Sequence, residues 1–242
     1  MASGVGPYTC STMQIHRIAV FFAPAFDQPL WHSGSRWLGR DAGGELFAHD
    51  ASPVDESLTR APARYGFHAT LKPPFRLRAG IDASTVLAQT QALAATLKPF
   101  VMPALSVQRL DDFIALQPAN AQDAAMAPLT ALAAAAVREL DELRAPPDAQ
   151  ELNARRAGLN TAQTEMLERW GYPFVLDTWR FHMTLTRRLQ AADDPAAVLA
   201  RAERFFAPVL ALPLRCDDIC LFVEPAPGAA RAGWPAFTAP AG

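Results

Sequence analysis

The segment Tyr65-Gly66-Phe67-His68-Ala69-Thr70-Leu71-Lys72 decides the organisation of this chain, because a second version of it follows as Trp179-Arg180-Phe181-His182-Met183-Thr184-Leu185-Thr186. Both versions place an aromatic residue, Phe, His, Thr and Leu at the same spacing. Each is followed by a helical run and then by an Arg-x-Asp-Asp segment that leads into an apolar strand, at residues 109–112 and 215–218. Matched segments in the same order indicate a duplicated unit.

The two segments are predicted to be strands, covering residues 64–72 and 180–188. Side chains alternate across a strand, so in each segment the His and the Thr share one face, and the apolar residues beside them face the core. The pairs Asp111-Asp112 and Asp217-Asp218 are predicted to be turn residues rather than metal ligands. The repeated order of strand, helix, strand and strand predicts an α+β protein.

The paired His-x-Thr segments suit phosphate chemistry. An imidazole can donate and accept a proton near neutrality, and a threonine hydroxyl is a compact donor to a phosphate oxygen. Two such faces across a cleft would place an acid and a base on opposite sides of a bound group, as phosphodiester cleavage requires. A single His-x-Thr is common in ordinary strands, so the duplication carries the functional reading; one copy kept for folding alone is the alternative. The candidate catalytic residues are His68, Thr70, His182 and Thr184.

Basic residues near these strands are candidates for neutralising a substrate phosphate. Strand alternation puts Arg64, Lys72 and Arg180 on the histidine faces, although each is equally compatible with a solvated strand end. Arg155 and Arg156 lie in a predicted loop before the second key strand. No carboxylate or cysteine cluster lies at metal-ligand spacing beside either histidine, so neither a metal nor another cofactor is expected.

The composition is that of a globular protein. Half of the 242 residues are hydrophobic, 19% are charged, and the formal net charge is −2. Such a chain can bury a core, and it has no basic field to attract a long nucleic-acid backbone. RNA is therefore a disfavoured partner, and a small phosphorylated substrate is the expected one.

The cysteines and the N-terminal region bear on location. Three cysteines, few and odd in number, favour reduced thiols in a cytoplasmic protein. Residues 1–12 lack a secretory signal and are expected to be a disordered extension. No apolar run is long enough to span a bilayer, so no membrane association is expected.

Residues 41–62 are predicted to be a loop. The sequence leaves open whether this loop closes over a site, and it leaves the oligomeric state open as well.

The paired segments resemble the 2H phosphoesterase superfamily, which includes cyclic nucleotide phosphodiesterases and bacterial 2′-5′ RNA ligase-like proteins. The likeness is closest to a subfamily of unassigned proteins encoded with phosphonate-utilisation (carbon–phosphorus lyase) genes, and it covers nearly the whole chain from Met13 onward. One departure is Phe21-Phe22, where a tyrosine-containing pair is expected, so neither position carries a side-chain hydroxyl. The segments that carry the likeness are residues 30–31, 37–41, 64–75, 169–173 and 181–186.

The resemblance implies a bilobal, duplicated fold with two antiparallel sheets flanking a central cleft and helices outside. It also implies metal-independent catalysis by the four candidate residues. Residues 13–242 would then form one domain, with a first repeat of about residues 13–120 and a second of about residues 121–242.

The activity implied is that of a phosphoric diester hydrolase, a cyclic phosphodiesterase that opens a small sugar or nucleotide cyclic phosphate by paired-histidine acid/base catalysis. The association with phosphonate metabolism points to 5-phosphoribose 1,2-cyclic phosphate, by analogy alone. Two alternatives stay open: an RNA end-processing or 2′-5′ RNA ligase-like activity, and a cyclic-phosphate binding protein without turnover. The residues do not indicate which histidine is the acid and which the base.

Overall fold

The computed structural model of the chain describes residues 15–40, 53–229 and 232–238. Its strands are β1 (Arg17–Phe22), β2 (Ala69–Phe75), β3 (Phe100–Val101), β4 (Leu105–Leu110), β5 (Phe113–Pro118), β6 (Met183–Thr184), β7 (Arg215–Cys216), β8 (Asp218–Glu224) and β9 (Ala232–Thr238). Seven of them form one antiparallel sheet in the order β4-β5-β6-β2-β1-β8-β9, while β3 and β7 form a small separate sheet.

The helices follow the strands in chain order. They are α1 (Pro29–Leu38), α2 (Glu56–Ala63), α3 (Ala83–Ala95), α4 (Met126–Glu139), α5 (Ala149–Arg156), α6 (Thr161–Trp170) and α7 (Pro195–Leu210), with short 3₁₀ helices at Asp141–Leu143 and Leu176–Thr178. Within the described ranges, none of these helices combines the length and the apolar character needed to cross a membrane.

The predicted α+β class with antiparallel sheets is confirmed. Instead of two sheets that flank a cleft, however, the structure has one seven-stranded sheet and one small two-stranded sheet. β1 pairs with β2 along one edge and with β8 along the other, and β5 pairs with β6. Strands from both halves of the chain therefore join one large sheet. β1 can occupy its middle because it is buried on both faces from Ile18 to Phe22. The repeat boundary near residue 120 stays a prediction, and residues 1–12 lie outside the described residues.

Two segments predicted to be loops contain helices. α2 begins after Asp55 and α5 begins after Asp148, and in both cases the aspartate side chain accepts a hydrogen bond from a backbone amide of the first turn. Each helix is only eight residues long and largely polar, which leaves little apolar periodicity to detect. Residues 41–52 lie outside the described residues, so closure of that segment over a site stays a prediction.

The main core lies between the large sheet and helices α1, α3, α4 and α7. Trp37 and Phe206 are fully buried, with ring centroids 5.4 Å apart, and the Phe67 ring stacks on Phe206. Helix α1 contacts Phe67 through Gly34, where an added Cβ would lie 2.1 Å from the phenyl ring. Since Phe67 directly precedes His68, this close helix–strand contact supports the segment that carries the first candidate histidine.

A β-bulge in β2 turns Lys72 away from the histidine face. Phe21 pairs with Thr70, and the neighbouring Val20 pairs with Lys72, so β2 has one extra residue between the two pairs. The alternation of side chains is reset at the bulge, and Lys72 shares the core face with Val20. Lys72 is 2% exposed, and its Nζ donates to a carbonyl of α4 (2.9 Å) and to Asp141 Oδ1 (3.4 Å). The predicted position of Lys72 beside the histidines is thus corrected.

The buried lysine gives a testable dependence of stability on pH. Burial of the ammonium group lowers the pKa of Lys72 from 10.5 to about 8, although the negative charge of Asp141 acts to raise it. The unfolded chain keeps this proton to about pH 10.4, so above pH 8 it binds more protons than the folded chain, and the free energy of unfolding rises with pH. Between about pH 8 and pH 10, we expect the wild type to gain roughly 2–3 kcal/mol relative to Lys72→Met in urea unfolding.

The chain's other lysine offers a matched control for this measurement. Lys98 is exposed, so Lys98→Met should follow the wild type across the same pH range. Parallel pH dependences for the wild type and Lys72→Met would contradict the account of a destabilised buried ammonium group.

Candidate functional site

The two His-x-Thr segments lie side by side and antiparallel in the large sheet. Ala69 of β2 pairs with Met183 of β6. Continuing this register by one residue in each direction brings the histidine of each segment opposite the threonine of the other, with Cβ atoms about 4.5–5.5 Å apart. The resulting pairs are His68 with Thr184 and Thr70 with His182. All four candidate side chains therefore share one face of the sheet.

Burial follows the predicted alternation around both motifs. The four candidate side chains are partly exposed, while the apolar residues next to them belong to the main core. These buried neighbours are Phe67, Ala69, Leu71, Phe181, Met183 and Leu185. The predicted polar face on an apolar strand pair is thus present.

Each histidine ring is held by the backbone of its own segment. His68 Nδ1 lies 2.9 Å from the carbonyl oxygen of Gly66, and His182 Nδ1 lies 2.9 Å from that of Arg180. A carbonyl oxygen only accepts hydrogen bonds, so Nδ1 carries the proton in each ring, and Nε2 carries the lone pair when the ring is neutral. Gly66 has a φ of 72°, a left-handed conformation that glycine adopts readily. The two rings are therefore prepared in the same tautomer.

Phe21 forms the floor under His68. The two rings stack with centroids 3.8 Å apart and planes 21° apart, and the Phe222 ring lies 6.0 Å from the imidazole. Both phenylalanines are buried, so the contact restrains the imidazole against an apolar surface. At Phe21-Phe22, where a tyrosine was expected, this chain supplies a stacking surface and no hydroxyl.

His182 lies at the other end of the strand pair, against Phe113. The two ring centroids are 5.7 Å apart in an edge-on arrangement. Burial, together with the positive charge of Arg180, lowers the pKa of His182, while its bond to the Arg180 carbonyl and the charge of Asp111 act in the opposite direction. The imidazole is therefore mainly neutral at pH 7 and can accept a proton through Nε2.

A cavity of about 560 Å³ lies over this polar face. His68, Thr70 and Thr184 belong to its wall, and His182 lies at its edge, next to the Phe113 ring that also lines it. Four arginines and two tyrosines complete the polar wall. They are Arg17, Arg155, Arg187, Arg188, Tyr65 and Tyr172. The structure thus gathers the two motifs around a cavity with a cationic wall.

Of the five basic residues predicted to bind substrate, Arg155 lies in the wall of this cavity. Its guanidinium donates to the Gly171 carbonyl (2.6 Å) and to Glu151 (2.8 Å), which hold it in place at the end of α5. The other four have partners elsewhere: Lys72 with Asp141, Arg64 with the Gly228 carbonyl, Arg156 with Glu168 and Arg180 with Asp111.

Three arginines in the cavity wall were not identified from the sequence. Arg187 and Arg188 come three and four residues after the end of β6, so their position just after the second motif was the available signal. Arg17 is on β1 and, by strand alternation, on the face of Phe21. The hydrogen bond from Arg187 to Asp193 (2.6 Å) raises the pKa of the guanidinium and keeps it charged.

The Asp111-Asp112 pair forms the predicted tight turn. Leu110 and Phe113 pair across it, and Asp111 has a φ of 53°. The two carboxylates bind guanidinium groups, Asp111 to Arg180 and Asp112 to Arg188, each at 3.1 Å. In the described part of the chain, no group of three or more His, Cys, Asp and Glu side chains comes together as a metal site would require.

Known proteins match this chain over most of its length. A family described as a protein of unknown function (DUF1045) matches residues 70–231. A "Ribose 1,5-bisphosphate phosphokinase PhnN" of Janthinobacterium sp. (strain Marseille) is 39% identical over 242 residues, covering 93% of this chain and 51% of that protein. A protein of the same name from Laribacter hongkongensis (strain HLHK9) is 38% identical over 217 residues, covering 88% and 50%. The chain therefore spans about half the length of these curated relatives.

These names correct the activity predicted from the sequence. Both relatives are named as a phosphokinase, which transfers a phosphoryl group, so the prediction of a cyclic phosphodiesterase of the hydrolase class is wrong. The names give no support to its RNA-processing or cyclic-phosphate-binding alternatives either. The physical reason is that imidazole and hydroxyl groups bind a phosphate whichever of its bonds reacts, so the motif specifies the ligand group better than the reaction. The tie to phosphonate utilisation is supported, since both relatives carry the designation PhnN.

Proposed function

This chain belongs to the DUF1045 family of proteins of unknown function, and from that membership and the cavity geometry we propose that it binds a phosphorylated ribose as the acceptor in phosphoryl transfer. The choice of ligand is supported by relatives named for ribose 1,5-bisphosphate. Because the chain spans about half the length of those relatives, what we propose for it is the sugar-phosphate site.

One observation carries the proposal: the antiparallel pairing of β2 with β6 puts two imidazoles and two hydroxyls on one face, beside a wall of four arginines. A phosphate dianion is held best by donors that converge from several directions, and guanidinium groups bind it in a bidentate manner. The cavity volume of about 560 Å³ lies within the usual range for small-molecule sites. One phosphate of a ribose bisphosphate would contact the His-x-Thr face and the other the arginines.

The histidine and threonine side chains would then have different roles toward the acceptor phosphate. A phosphate monoester has a second pKa of about 6, so part of it still carries a proton near neutrality. Neutral His182 would accept that proton through Nε2 and leave the acceptor oxygen with a free electron pair. That oxygen forms the new bond to phosphorus while the leaving group of the donor departs with the electrons of the old bond. Thr70 and Thr184 would donate to the non-bridging oxygens.

We also infer that the scaffold is that of the 2H phosphoesterases, as the sequence predicts. The support is the pairing of two His-x-Thr strands at the centre of an antiparallel sheet, with both histidines in the same tautomer. This inference concerns the fold alone, because one scaffold can carry more than one reaction.

The cysteines support the predicted cytoplasmic location, which we retain as a proposal. Cys216 and Cys220 are both free and buried. Free thiols persist in a reducing compartment, whereas secreted proteins commonly form disulfides.

Calorimetric titration of the 242-residue chain with ribose 5-phosphate, ribose 1,5-bisphosphate and ribose tests the proposed ligand. We expect both phosphorylated sugars to bind, the bisphosphate more tightly because its second phosphate reaches the arginines, and ribose to bind much more weakly than either. Equal affinity for ribose and its phosphates, or no binding of either phosphate, would overturn the proposal.

A further inference from the structure

A second cavity, of about 810 Å³, adjoins the first. The two cavities share a wall that contains Arg155, Tyr172 and Arg188. Trp179 also lines the second cavity, and its indole N–H donates to the carbonyl oxygen of Thr70 at 2.9 Å. Through Trp179, the second cavity therefore borders β2 at Thr70, one of the candidate catalytic residues.

Aromatic rings form part of the second cavity. The rings of Tyr172 and Phe174 meet edge-on, with centroids 6.0 Å apart and planes 69° apart, and Trp179 contributes a third ring. Phe174 is 37% exposed, so a flat aromatic ligand placed against it would remove apolar surface from water. Exposed aromatic rings in a concave site are the surfaces on which nucleotide bases stack.

Arginines form the other part of the second cavity. Arg180 and Arg188 project from either end of the second key segment, and the turn carboxylates of Asp111 and Asp112 hold them at 3.1 Å. These ion pairs are exposed, so they are weak and can give way to a phosphate ligand. Arg155, which is fixed from α5, is the third arginine.

We propose that the second cavity binds a nucleoside triphosphate, with its base against Phe174 and its phosphates toward the shared Arg155 and Arg188. In a protein whose first cavity holds the acceptor sugar phosphate, as proposed above, this site would hold the phosphoryl donor. The shared wall would place the terminal phosphate between the two cavities. Neither an anion alone nor an apolar ring alone uses both the rings and the arginines, whereas a nucleotide uses both.

The charges of the second cavity are compatible with such a ligand. Three arginines and the carboxylates of Asp111 and Asp177 line the cavity. Each arginine is also paired with a carboxylate, so a phosphate ligand would have to displace ion pairs, of which those of Arg180 and Arg188 are exposed. Arg155 and Arg188 lie in the wall shared by the two cavities, whereas Arg180 lines the second cavity alone, so the phosphates are expected at Arg155 and Arg188. The base is then expected on the side away from the first cavity.

Titration of the 242-residue chain with a fluorescent N-methylanthraniloyl ATP in the presence of magnesium tests this assignment. We expect saturable binding that unlabelled ATP displaces and that inorganic tripolyphosphate displaces at least about fivefold less well, because it lacks the stacking base. Absence of saturable binding, or equal displacement by tripolyphosphate and ATP, would overturn the nucleotide assignment. Preferential displacement by single-stranded RNA would overturn it in favour of an RNA site.

Matched variants separate the contribution of the rings from that of the arginines. Phe174→Ala is expected to weaken the binding of labelled ATP at least about fivefold, while Phe26→Ala, which removes another exposed ring that lies outside both cavities, should not. Arg188→Gln is expected to weaken it about tenfold, and Arg60→Gln, another exposed and carboxylate-paired arginine, is the control. Unchanged affinity in both Phe174→Ala and Arg188→Gln would overturn the site.

A parallel titration with ribose 5-phosphate keeps the two proposals apart. Sugar-phosphate binding without nucleotide binding would overturn this inference and leave the proposed function in place. Nucleotide binding that depends on Phe174, without sugar-phosphate binding, would support the second site and overturn the proposed acceptor site.

Discussion

Replacing His68 by asparagine is expected to weaken the binding of ribose 5-phosphate about 10–100-fold while the protein stays folded. The asparagine amide takes the place of Nδ1 and can still donate to the Gly66 carbonyl, which His68 contacts at 2.9 Å. Nothing replaces Nε2, whose N–H in the protonated ring would donate to a phosphate oxygen. A hydrogen bond to a charged group contributes about 1.5–3 kcal/mol, which corresponds to this loss of affinity. Calorimetry measures it, and thermal unfolding checks that the fold is kept.

Matched histidine variants test whether this loss of affinity is specific to the paired His-x-Thr site. His182→Asn, which also preserves the bond from Nδ1, should weaken binding by a similar factor, and His32→Asn on the exposed side of α1 should not. If both imidazoles contact one phosphate, the double variant should lose less than the sum of the single losses. Wild-type affinity in His68→Asn would show that Nε2 does not contact the ligand.

Replacing Gly34 by alanine is expected to lower the free energy of unfolding by about 1–3 kcal/mol, the usual cost of forcing an extra carbon into a packed core. The new Cβ would lie 2.1 Å from the phenyl ring of Phe67, which is 1% exposed and cannot move into solvent. Alanine elsewhere inside a helix stabilises by about 0.5–1 kcal/mol relative to glycine. A loss of stability at this position would therefore be due to the contact between the new Cβ and Phe67. Urea unfolding measures it.

His32→Ala in the same helix is the control, because its exposed side chain lies away from the sheet. A shift of Phe67 should also move His68, so Gly34→Ala should weaken ribose 5-phosphate binding even under conditions where the variant is folded. A variant as stable as the wild type would mean that α1 and β2 separate at little cost.

The sequence was sufficient for the polar face but not for what surrounds it. Alternation in a strand is a local property, so His68 and Thr70, or His182 and Thr184, follow from spacing alone. The pairing of β2 with β6 brings together residues far apart in the chain, and local patterns do not encode it. For the same reason the arginine wall was only partly predicted: Arg155 was identified, whereas Arg17 comes from a distant strand.

At Lys72, a single extra residue in β2 made the prediction from strand alternation wrong. The pattern around Thr70 is regular, and the bulge that follows is visible only in the pairing with β1. Once the phase is reset, a residue that looked like a phosphate ligand becomes a buried cation held by Asp141. Bulges depend on the partner strand as much as on their own sequence.

The reaction itself was the largest error of the sequence-based prediction. His-x-Thr pairs indicate a phosphate ligand, and the ion pairs, tautomers and stacking found around them are compatible with more than one bond being made or broken. What separates a transferase from a hydrolase is the group that receives the phosphorus. Which group receives it depends on the acceptor bound beside the donor and on how far water is excluded, and no local sequence motif in the strand encodes either property.

The position of β1 between β2 and β8 also has a consequence for synthesis on the ribosome. β1 is made before the other strands of the large sheet, and one of its two partners, Asp218–Glu224, is made much later. Until then an apolar strand keeps an unpaired edge, which is a target for chaperones and for aggregation. Nascent chains arrested before β8 should therefore be protease-sensitive and bound by chaperones, and resistance should appear abruptly once β8 has left the exit tunnel.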